Sequence, residues 1–430
     1  MTDCVGLKAD LRYQTCHEHP MKHLLRALSV RNFRLYFIGQ SASFVGTWMQ
    51  QIALAWLVYR LTGSPFMLGL VTFAGNIPIL LLAPFGGVWS DRLNRRRAML
   101  LTQALSLLQA AVLAGLTFAG LVEVWHLLVA AAFLGIVNAL DTPLRQAFLL
   151  ELVGSREHLP NAIALNSLMM NASRLVGPAL AGLVLAAAGE AWCFLLNAAS
   201  YLAMLAALAA MRLTAPARPR AAQDWLGGLA EAVRFAWKFA PCRYLIGLVG
   251  LVSFVATPYA SLMPVFARDL LGGDARTLGL LVGASGAGAM AGVLHLAGRR
   301  ASDGLERLIA AAAFSAGIGL MLFSHSGMLW LSLALLPLVG FGIITVAASA
   351  NTILQLVAPD AMRGRLVSLH ITAFLGVMPL GSLAYGLLAE RFGAPATVAA
   401  GGLLCLLGAA AFASRLGIMR SLLAPHYARR

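Results

Sequence analysis

The sequence predicts an all-α, polytopic membrane protein with twelve transmembrane helices in two pseudo-symmetric six-helix bundles. Three observations lead to this fold class. Of the 430 residues, 60% are hydrophobic and only 11% are charged, whereas soluble globular proteins carry about 25% charged residues. Apolar runs of about 20 residues, the length that crosses a bilayer, recur along the whole chain. The basic residues between these runs alternate in number from one gap to the next.

The apolar runs fall into two groups of six. The first group is predicted at 34–59, 65–89, 98–119, 124–146, 162–188 and 191–211. The second group is predicted at 243–266, 278–297, 308–324, 328–352, 366–388 and 394–414. The predicted domains are therefore a tail at 1–33, bundles at 34–211 and 243–414, a linker at 212–242 and a tail at 415–430. Within the linker, the apolar spacing at 225–239 predicts an amphipathic helix at the membrane surface.

The basic residues predict the orientation in the membrane. All 32 lysine and arginine residues lie in or beside one alternating set of gaps, except Arg60, Arg174, Arg268, Arg276 and Arg391. The positive-inside rule places that set, with the linker and both termini, in the cytoplasm. We therefore expect a multi-pass protein of the cell inner membrane, with the lipid bilayer as its partner. The net charge of +15 is spread over these gaps, whereas a nucleic-acid-binding protein concentrates basic residues on one folded face.

The two halves resemble each other at a nearly constant offset. Gly177 and Gly182 recur as Gly381 and Gly386, a shift of 204 residues. Such a shift over a whole half indicates a duplicated six-helix unit. Two units of this kind leave a cleft at their interface near the membrane midplane, where a small molecule could bind and cross by alternating access.

A charged loop between the second and third predicted helices carries a recognisable motif. The segment Gly87-x-x-x-Asp91-Arg92-x-Asn94-Arg95-Arg96 resembles the signature loop of the major facilitator superfamily, and the layout of six plus six helices with a cytoplasmic linker agrees. The resemblance implies the major facilitator fold. Asn94 stands where the signature has its second glycine, and we expect it to adopt the left-handed backbone of a sharp turn.

A more specific resemblance covers the first half, from residue 31 to about residue 212. Five segments are similar to the enterobactin-exporter branch of that superfamily, at 31–35, 46–50, 141–146, 159–167 and 174–178. The segment Ser173-x-x-x-Gly177-Pro178-x-x-Ala181-Gly182 also resembles the fifth-helix signature of antiporters. These resemblances imply export of siderophores, drugs or metabolites in exchange for protons. For Gly177, Pro178 and Gly182 we expect close helix packing, since small residues let helices approach.

Two groups of charged residues are candidates for a gate. Asp91 and Arg92, with Arg95 and Arg96, could form a latch whose contacts break when the halves part. Alternatively, these arginines only hold the loop in the cytoplasm. Asp141 and Arg145 could form an i,i+4 pair within a gating network. Alternatively, they are solvated charges at a helix end, and we expect their exposure to make the pair weak.

A substrate cavity is predicted from polar and aromatic residues inside the spans. Arg174 is the one charge placed well inside a span. It either pairs with Asp141 or Glu151, binds an anionic group in a cavity, or snorkels to the surface. Thr47, Gln50 and Gln51 share one side of the first helix, and that side lines the cleft or binds another helix. Asn76 has the same two alternatives. Trp48 and Tyr259 could offer aromatic surface to a bulky ligand, or pack in the core.

Proton coupling has two candidate residues. All 17 acidic residues fall near span ends or in loops, whereas proton-driven carriers often use a carboxylate near the midplane. Asp141 is the acidic candidate. His370, inside the eleventh span, titrates near neutrality and is the other, although it could equally be structural.

Several function classes are excluded by what the sequence lacks. It contains no HExxH, Walker or GxSxG motif, so we expect neither an enzyme nor an ATP-driven pump. The five cysteines form no CxxC pair, so neither a disulfide framework nor a metal site is predicted, and we expect no cofactor. A monomeric secondary active transporter of small molecules is the main prediction. The alternatives are an importer, or a membrane sensor or scaffold that keeps the fold without transporting.

Overall fold

The computed structural model describes residues 26–153, 158–212, 225–299, 303–359 and 362–427, without the side chains of 83–92, 150, 225–230 and 232. Every regular element within these ranges is helical. The first bundle contains α1 Arg31–Thr62, α2 Pro65–Arg92, α3 Arg95–Phe118, α4 Val124–Val153, α5 Leu159–Ala188 and α6 Glu190–Ala210. The second bundle contains α8 Ala240–Leu270, α9 Ala275–Ala297, α10 Leu305–Ser324, α11 Leu329–Val357, α12 Arg363–Phe392 and α13 Ala394–Ala413.

The predicted all-α membrane fold in two bundles is confirmed, with one qualification on the number of apolar spans. Within the described ranges, 11 helices are long and apolar enough to cross a membrane, namely α2 to α6 and α8 to α13. The first predicted span is not among them, although α1 has 32 residues. Its polar side chains, Gln40, Ser43 and Gln50, are buried inside the protein. A helix whose polar residues face the bundle can still present an apolar side to lipid.

Among the described residues, two shorter α-helices and a 3-10 turn at Arg26–Ser29 lie outside the bundles. The linker helix α7, Trp225–Lys238, matches the predicted amphipathic segment. The predicted tail 415–430 instead contains a helix, α14, Leu416–Tyr427, whose Met419 and Leu423 are fully buried. The Tyr427 hydroxyl donates a hydrogen bond to Glu306 Oε2 at 3.1 Å. Burial, together with the Glu306 carboxylate, raises the pKa of Tyr427. The tail is therefore docked on the second bundle.

The loop between α2 and α3 corrects the expectation for Asn94. Its φ is −67° and its ψ 106°, which is extended backbone rather than left-handed. The Asn94 side chain accepts a hydrogen bond from the backbone N–H of Arg97 at 3.1 Å. Asparagine is among the preferred N-cap residues because its oxygen satisfies a free N–H of the first helical turn. Asn94 therefore starts α3 as a cap.

The two ends of the molecule are named after Glu390 and Arg95, which lie at opposite ends of the helices. The Glu390 end holds the connections that follow α1, α3, α5, α8, α10 and α12. The Arg95 end holds those that follow α2, α4, α9 and α11, together with α7 and α14. Exposed tryptophans lie near both ends: Trp125, Trp192 and Trp330 near the Glu390 end, and Trp237 near the Arg95 end. Exposed tryptophans at two levels are typical of the two membrane interfaces.

The bundles meet mainly through two helix pairs, α2 with α12 and α5 with α9. Glycines allow the close approach. A Cβ atom built on Gly69 would lie 2.5 Å from the Ser382 carbonyl oxygen, and one on Gly182 would lie 3.1 Å from the Gly279 Cα. The second bundle is also locally irregular, because π-helical turns end α8 at Phe266–Leu270 and interrupt α12 at Thr372–Gly376.

Candidate functional site

Three of the predicted cavity residues come together where the bundles meet. Arg174 lies in the middle of α5, and its guanidinium carbon is 5.3 Å from the centroid of the Trp48 ring of α1. Tyr259, from a 3-10 turn within α8, is near enough to act on Arg174 electrostatically. Its hydroxyl shares a hydrogen bond with Ser285 of α9. The site therefore combines a cation and two aromatic rings from both bundles.

Arg174 has no acidic partner among the residues that the structure describes. The predicted pairing with Asp141 or Glu151 is wrong, because these carboxylates pair with Arg145 and Arg95. Its neighbours there are an aromatic ring and a phenol, with no carboxylate in ion-pair contact. A guanidinium at this depth is costly unless it meets a cavity, water or a counter-ion. The expectation that Arg174 snorkels to the surface is less favoured, because its guanidinium lies against the Trp48 ring and near Tyr259. The α5 backbone here also touches α9 of the other bundle. A Cβ atom on Gly286 would lie 2.7 Å from the Arg174 carbonyl oxygen.

The α5 motif positions this site. A Cβ atom on Gly177 would collide with the Trp48 Cβ atom, so Gly177 lets α1 place Trp48 beside Arg174. The Pro178 carbonyl oxygen lies 2.6 Å from the position of a Cβ atom on Gly279, and Gly182 packs against the same glycine. Gly177, Pro178 and Gly182 thus hold α5 between α1 of its own bundle and α9 of the other.

Gln50 lies inside the first bundle rather than at its surface. Its side-chain amide donates to Gln109 Oε1 at 2.9 Å and accepts from Asn197 Nδ2 at 2.8 Å. Gln109 in turn donates to the Ala130 carbonyl oxygen at 3.3 Å. This network joins α1, α3, α4 and α6, and Gln50 is only 2% exposed. The placement favours the second of the two predicted roles, an interhelical hydrogen bond.

The other predicted polar residues are spread over different environments. Thr47 donates to the Ser43 carbonyl oxygen of its own helix and shares a hydrogen bond with the Tyr201 hydroxyl of α6. Asn76 donates to the Thr72 carbonyl oxygen one turn earlier in α2. Gln51 is exposed and lies one turn after Trp48, on the same side of α1. Of these three, Gln51 is the one placed toward the Arg174 site.

Asp141 and Arg145 form a buried ion pair, so the expectation of an exposed and weak pair is wrong. Their side chains are 3% and 16% exposed. Asp141 Oδ1 also accepts hydrogen bonds from Thr102 Oγ1 at 2.6 Å and from Gln103 Nε2 at 3.1 Å. The Arg145 guanidinium lies 4.7 Å from the centroid of the Phe44 ring. Phe44 of α1 and Thr102 and Gln103 of α3 thus contact the pair near the Arg95 end of α4.

Part of the predicted gate lies within the described residues. Arg95 forms an ion pair with Glu151 of α4. Arg96 donates to the carbonyl oxygens of Leu208 and Ala209, at 3.0 and 2.9 Å. A cation is favourable at the C-terminal carbonyls of a helix, and here it ties α3 to α6. The other predicted gate residues, Gly87, Asp91 and Arg92, belong to the segment 83–92, whose side chains the structure does not describe.

His370 is 5% exposed in α12, and its Nδ1 atom is buried without a hydrogen-bond partner in the described part of the protein. It lies two residues before the π-helical turn Thr372–Gly376. It is far along the chain from Asp141 and belongs to the other bundle, so the two proton-coupling candidates are separate sites.

Sequence reasoning missed several polar contacts between helices. Asn197, Gln109, Thr102 and Gln103 are polar residues within apolar spans, and that signal could have identified them. Glu390 and Asp269 gave no comparable signal, because both lie at span ends where charge is expected. Both contact the first bundle in the folded protein.

Within the part of the chain that the structure describes, twelve long helices form two bundles that meet around Arg174. This is the architecture of a polytopic membrane transporter of the major facilitator type. The family model for transmembrane secretion effectors matches residues 24–424, and the chain belongs to that family of the major facilitator superfamily. Accordingly, it is a multi-pass membrane transporter with a small-molecule substrate, and not an enzyme.

Relatives that are named as transporters align with most of the chain. The staphyloferrin A transporter of Staphylococcus aureus is 26% identical, over 84% of this chain and 90% of its own. The multidrug efflux pump Tap of Mycolicibacterium fortuitum is 28% identical, over 80% and 86%. The enterobactin exporter EntS of Shigella boydii is 30% identical, over 78% and 79%. The resemblance to the enterobactin-exporter branch is thus confirmed.

Solved structures agree on the fold. The nucleoside transporter NupG superposes with a TM-score of 0.70 at 12% identity, over 90% of this chain and 99% of its own. A bacterial homologue of the human lysosomal transporter Spinster, in an inward-facing and unoccupied conformation, gives 0.65 at 15% identity, over 95% and 98%. At these identities the likeness concerns the fold alone.

Proposed function

We propose that this protein exports small organic molecules across the cell inner membrane in exchange for protons. Relatives named as siderophore and multidrug exporters support the direction of transport and the substrate class. The lysine and arginine distribution supports an orientation with both termini and the Arg95 end in the cytoplasm. A monomer is sufficient for this function, because the Arg174 site is assembled from two bundles of one chain.

The observation that carries the proposal is Arg174 itself. A cation at mid-membrane, on the boundary between the bundles and without a carboxylate partner among the described residues, supports binding of an anionic group. Trp48 and Tyr259 would contact the apolar or aromatic part of the same substrate. Gln51, on the Trp48 side of α1, would add a hydrogen bond. The substrate class is then an amphipathic organic anion.

Alternating access is the mechanism that this arrangement supports. The close approaches between the bundles begin at the Glu390 end and reach mid-membrane, at Gly376 with Leu80 and at Gly286 with Arg174. Closure over this half favours a state that opens toward the Arg95 end, from which a cytoplasmic substrate would enter. Asp91 and Arg92, with Arg95 and Arg96, would close the Arg95 end in the opposite state.

Proton coupling is assigned to Asp141 in preference to His370. Asp141 is a buried carboxylate held by an arginine, a hydroxyl and an amide. Beside it, the buried Gln103 Oε1 and Arg145 Nε atoms have no hydrogen-bond partner among the described residues. Protonation of Asp141 would weaken its pairing with Arg145, and the released guanidinium could then change its partners. The proton would in this way alter contacts among α1, α3 and α4.

The test compares accumulation of candidate anionic and cationic compounds in cells with and without the protein. We expect lower accumulation of its substrate when the protein is present, and loss of that difference with a proton uncoupler. Arg174→Gln should reduce export of anionic substrates by about tenfold or more, since a buried charged hydrogen bond contributes about 1.5–3 kcal/mol.

The matched control is Arg243→Gln. Arg243 stacks on Tyr244 at 5.2 Å, so it has the same type of aromatic contact, but it lies at the beginning of α8 rather than at mid-membrane. It should leave export unchanged. Higher accumulation in cells with the protein would indicate an importer, and no difference for any compound would favour a sensor or scaffold; either result contradicts the proposal.

A further inference from the structure

Glu390, the third residue from the end of α12, reaches across the bundle interface to the beginning of α2. Its Oε2 atom accepts a hydrogen bond from Ser64 Oγ at 2.9 Å and one from the backbone N–H of Phe66 at 3.1 Å. Ser64 is the residue before α2, and its Oγ atom also accepts from the Met67 N–H at 3.3 Å. The N-terminus of α2 is thus capped jointly by its own serine and by a carboxylate of the other bundle.

This contact is favourable for two separate reasons. The first N–H groups of a helix have no partner within the helix, so an external acceptor supplies hydrogen bonds that the helix itself cannot form. The aligned peptide dipoles also place partial positive charge at the same point, which attracts a carboxylate. A cap from the helix's own segment persists in every conformation. A cap from the other bundle can persist only while the two bundles stay together.

Neighbouring contacts join the same two bundles at the same end. The Tyr59 hydroxyl, near the end of α1, donates to Asp269 Oδ2 near the end of α8. The Arg268 guanidinium lies 5.8 Å from the centroid of the Tyr59 ring. Just below, the α2 and α12 backbones touch at Gly69 and Gly386. The Glu390 contact is therefore the outermost of a series that closes this end.

The antiparallel arrangement of α2 and α12 gives this contact a counterpart. The last residues of α2 include Asp91, and α2 ends at the level where α12 begins. Each helix thus has an acidic residue among its last three residues, and that of α12, Glu390, contacts the N-terminus of α2. We propose that Glu390 is the latch of the Glu390 end, whose release from the α2 N-terminus accompanies opening of that end. The latch rests on the proposed alternating access, with Asp91 predicted to play the same part at the Arg95 end.

The experiment measures the conformational equilibrium directly. Spin labels at Leu121→Cys and Met328→Cys, exposed positions of the two bundles at the Glu390 end, report the distance between the bundles in a background without the native cysteines. Glu390→Ala removes the acceptor and the charge, and should raise the ratio of open to closed populations by about three- to tenfold. Glu390→Gln keeps an acceptor but loses the charge, so a smaller increase is expected.

Glu190 supplies the matched control. It is also a carboxylate at the Glu390 end, but its ion pair with Arg60 at 2.7 Å lies entirely within the first bundle. Glu190→Ala should leave the distance distribution unchanged. An unchanged distribution in Glu390→Ala, or an equal shift in Glu190→Ala, would overturn the latch.

The same variants separate the latch from the proposed function. The distance measurement needs no substrate, so a shift in Glu390→Ala together with the absence of any efflux would leave the latch standing and reject the exporter. Efflux by the parent protein without a shift in Glu390→Ala would leave the exporter standing and reject the latch.

Discussion

Replacing Asp141 by alanine is expected to lower the free energy of unfolding by about 3–5 kcal/mol, because it leaves a buried guanidinium without its counter-ion. Arg145 stays beside the Phe44 ring, and its Nε atom already lacks a partner among the described residues. Thr102 and Gln103 would also lose the acceptor of their hydrogen bonds. The effect should appear as a large decrease in the Tm of the purified protein in detergent. Fluorescence-detected size-exclusion chromatography measures this Tm.

Two companion variants make this result specific. Glu190→Ala breaks an ion pair whose arginine is 51% exposed, and exposed pairs contribute about 1 kcal/mol or less. Its Tm should therefore fall much less. The double replacement Asp141→Leu with Arg145→Met removes both charges and should recover most of the loss. Equal decreases for Asp141→Ala and Glu190→Ala would contradict the buried pair.

A leucine in place of Gly69 is expected to stop transport while the protein remains folded. The Cβ atom alone would lie 2.5 Å from the Ser382 carbonyl oxygen and 2.9 Å from the Gly386 Cα. Backbone atoms of a packed helix cannot move away without a large energetic cost. Overpacking of this kind costs about 1–3 kcal/mol. Because the clash exists only when the Glu390 end is closed, it should shift the equilibrium toward the state open at that end, by about five- to a hundredfold.

Gly115 provides the control for the leucine variant. It lies in α3, and a Cβ atom built there meets no described atom within 4 Å. Gly115→Leu should therefore keep both efflux and the distance distribution of the parent protein. Full efflux by a correctly folded Gly69→Leu protein would mean that the contact between α2 and α12 does not have to close during transport.

The helices could be predicted because the bilayer leaves so few alternatives. Each span must be apolar and about 20 residues long, and charge can lie only near its ends, so composition alone locates the spans. The first span could be located at 34–59 as well, although its polar residues lower its hydropathy below that of the other spans. The burial of those residues in a network with Gln109 and Asn197 depends on which helices lie next to α1, and periodicity does not specify the neighbour.

The candidate site was predictable only in part, for the same reason. Arg174 was identifiable from the sequence because a charge inside a span is conspicuous. The environment of Asp141 was not, because its proximity to a span end suggested water, whereas its partners Thr102 and Gln103 belong to a different helix. Glu390 is farther still from its partners in sequence. A charge at a span end has the same appearance whether it faces solvent or the other bundle.

The central claim is that the two bundles alternate between closure at the Glu390 end and closure at the Arg95 end. The most direct test uses two pairs of spin labels on the full chain in lipid nanodiscs, one at Leu121 and Met328, the other at Leu93 and Gly298 at the Arg95 end. The proton concentration is varied about a thousandfold, from about pH 8 to about pH 5. Each condition compares the parent protein with Glu390→Ala. We predict that, whenever the first distance lengthens in a fraction of the molecules, the second distance shortens in a matching fraction. Two distances that stay fixed, or that lengthen together, would contradict alternating access in this protein.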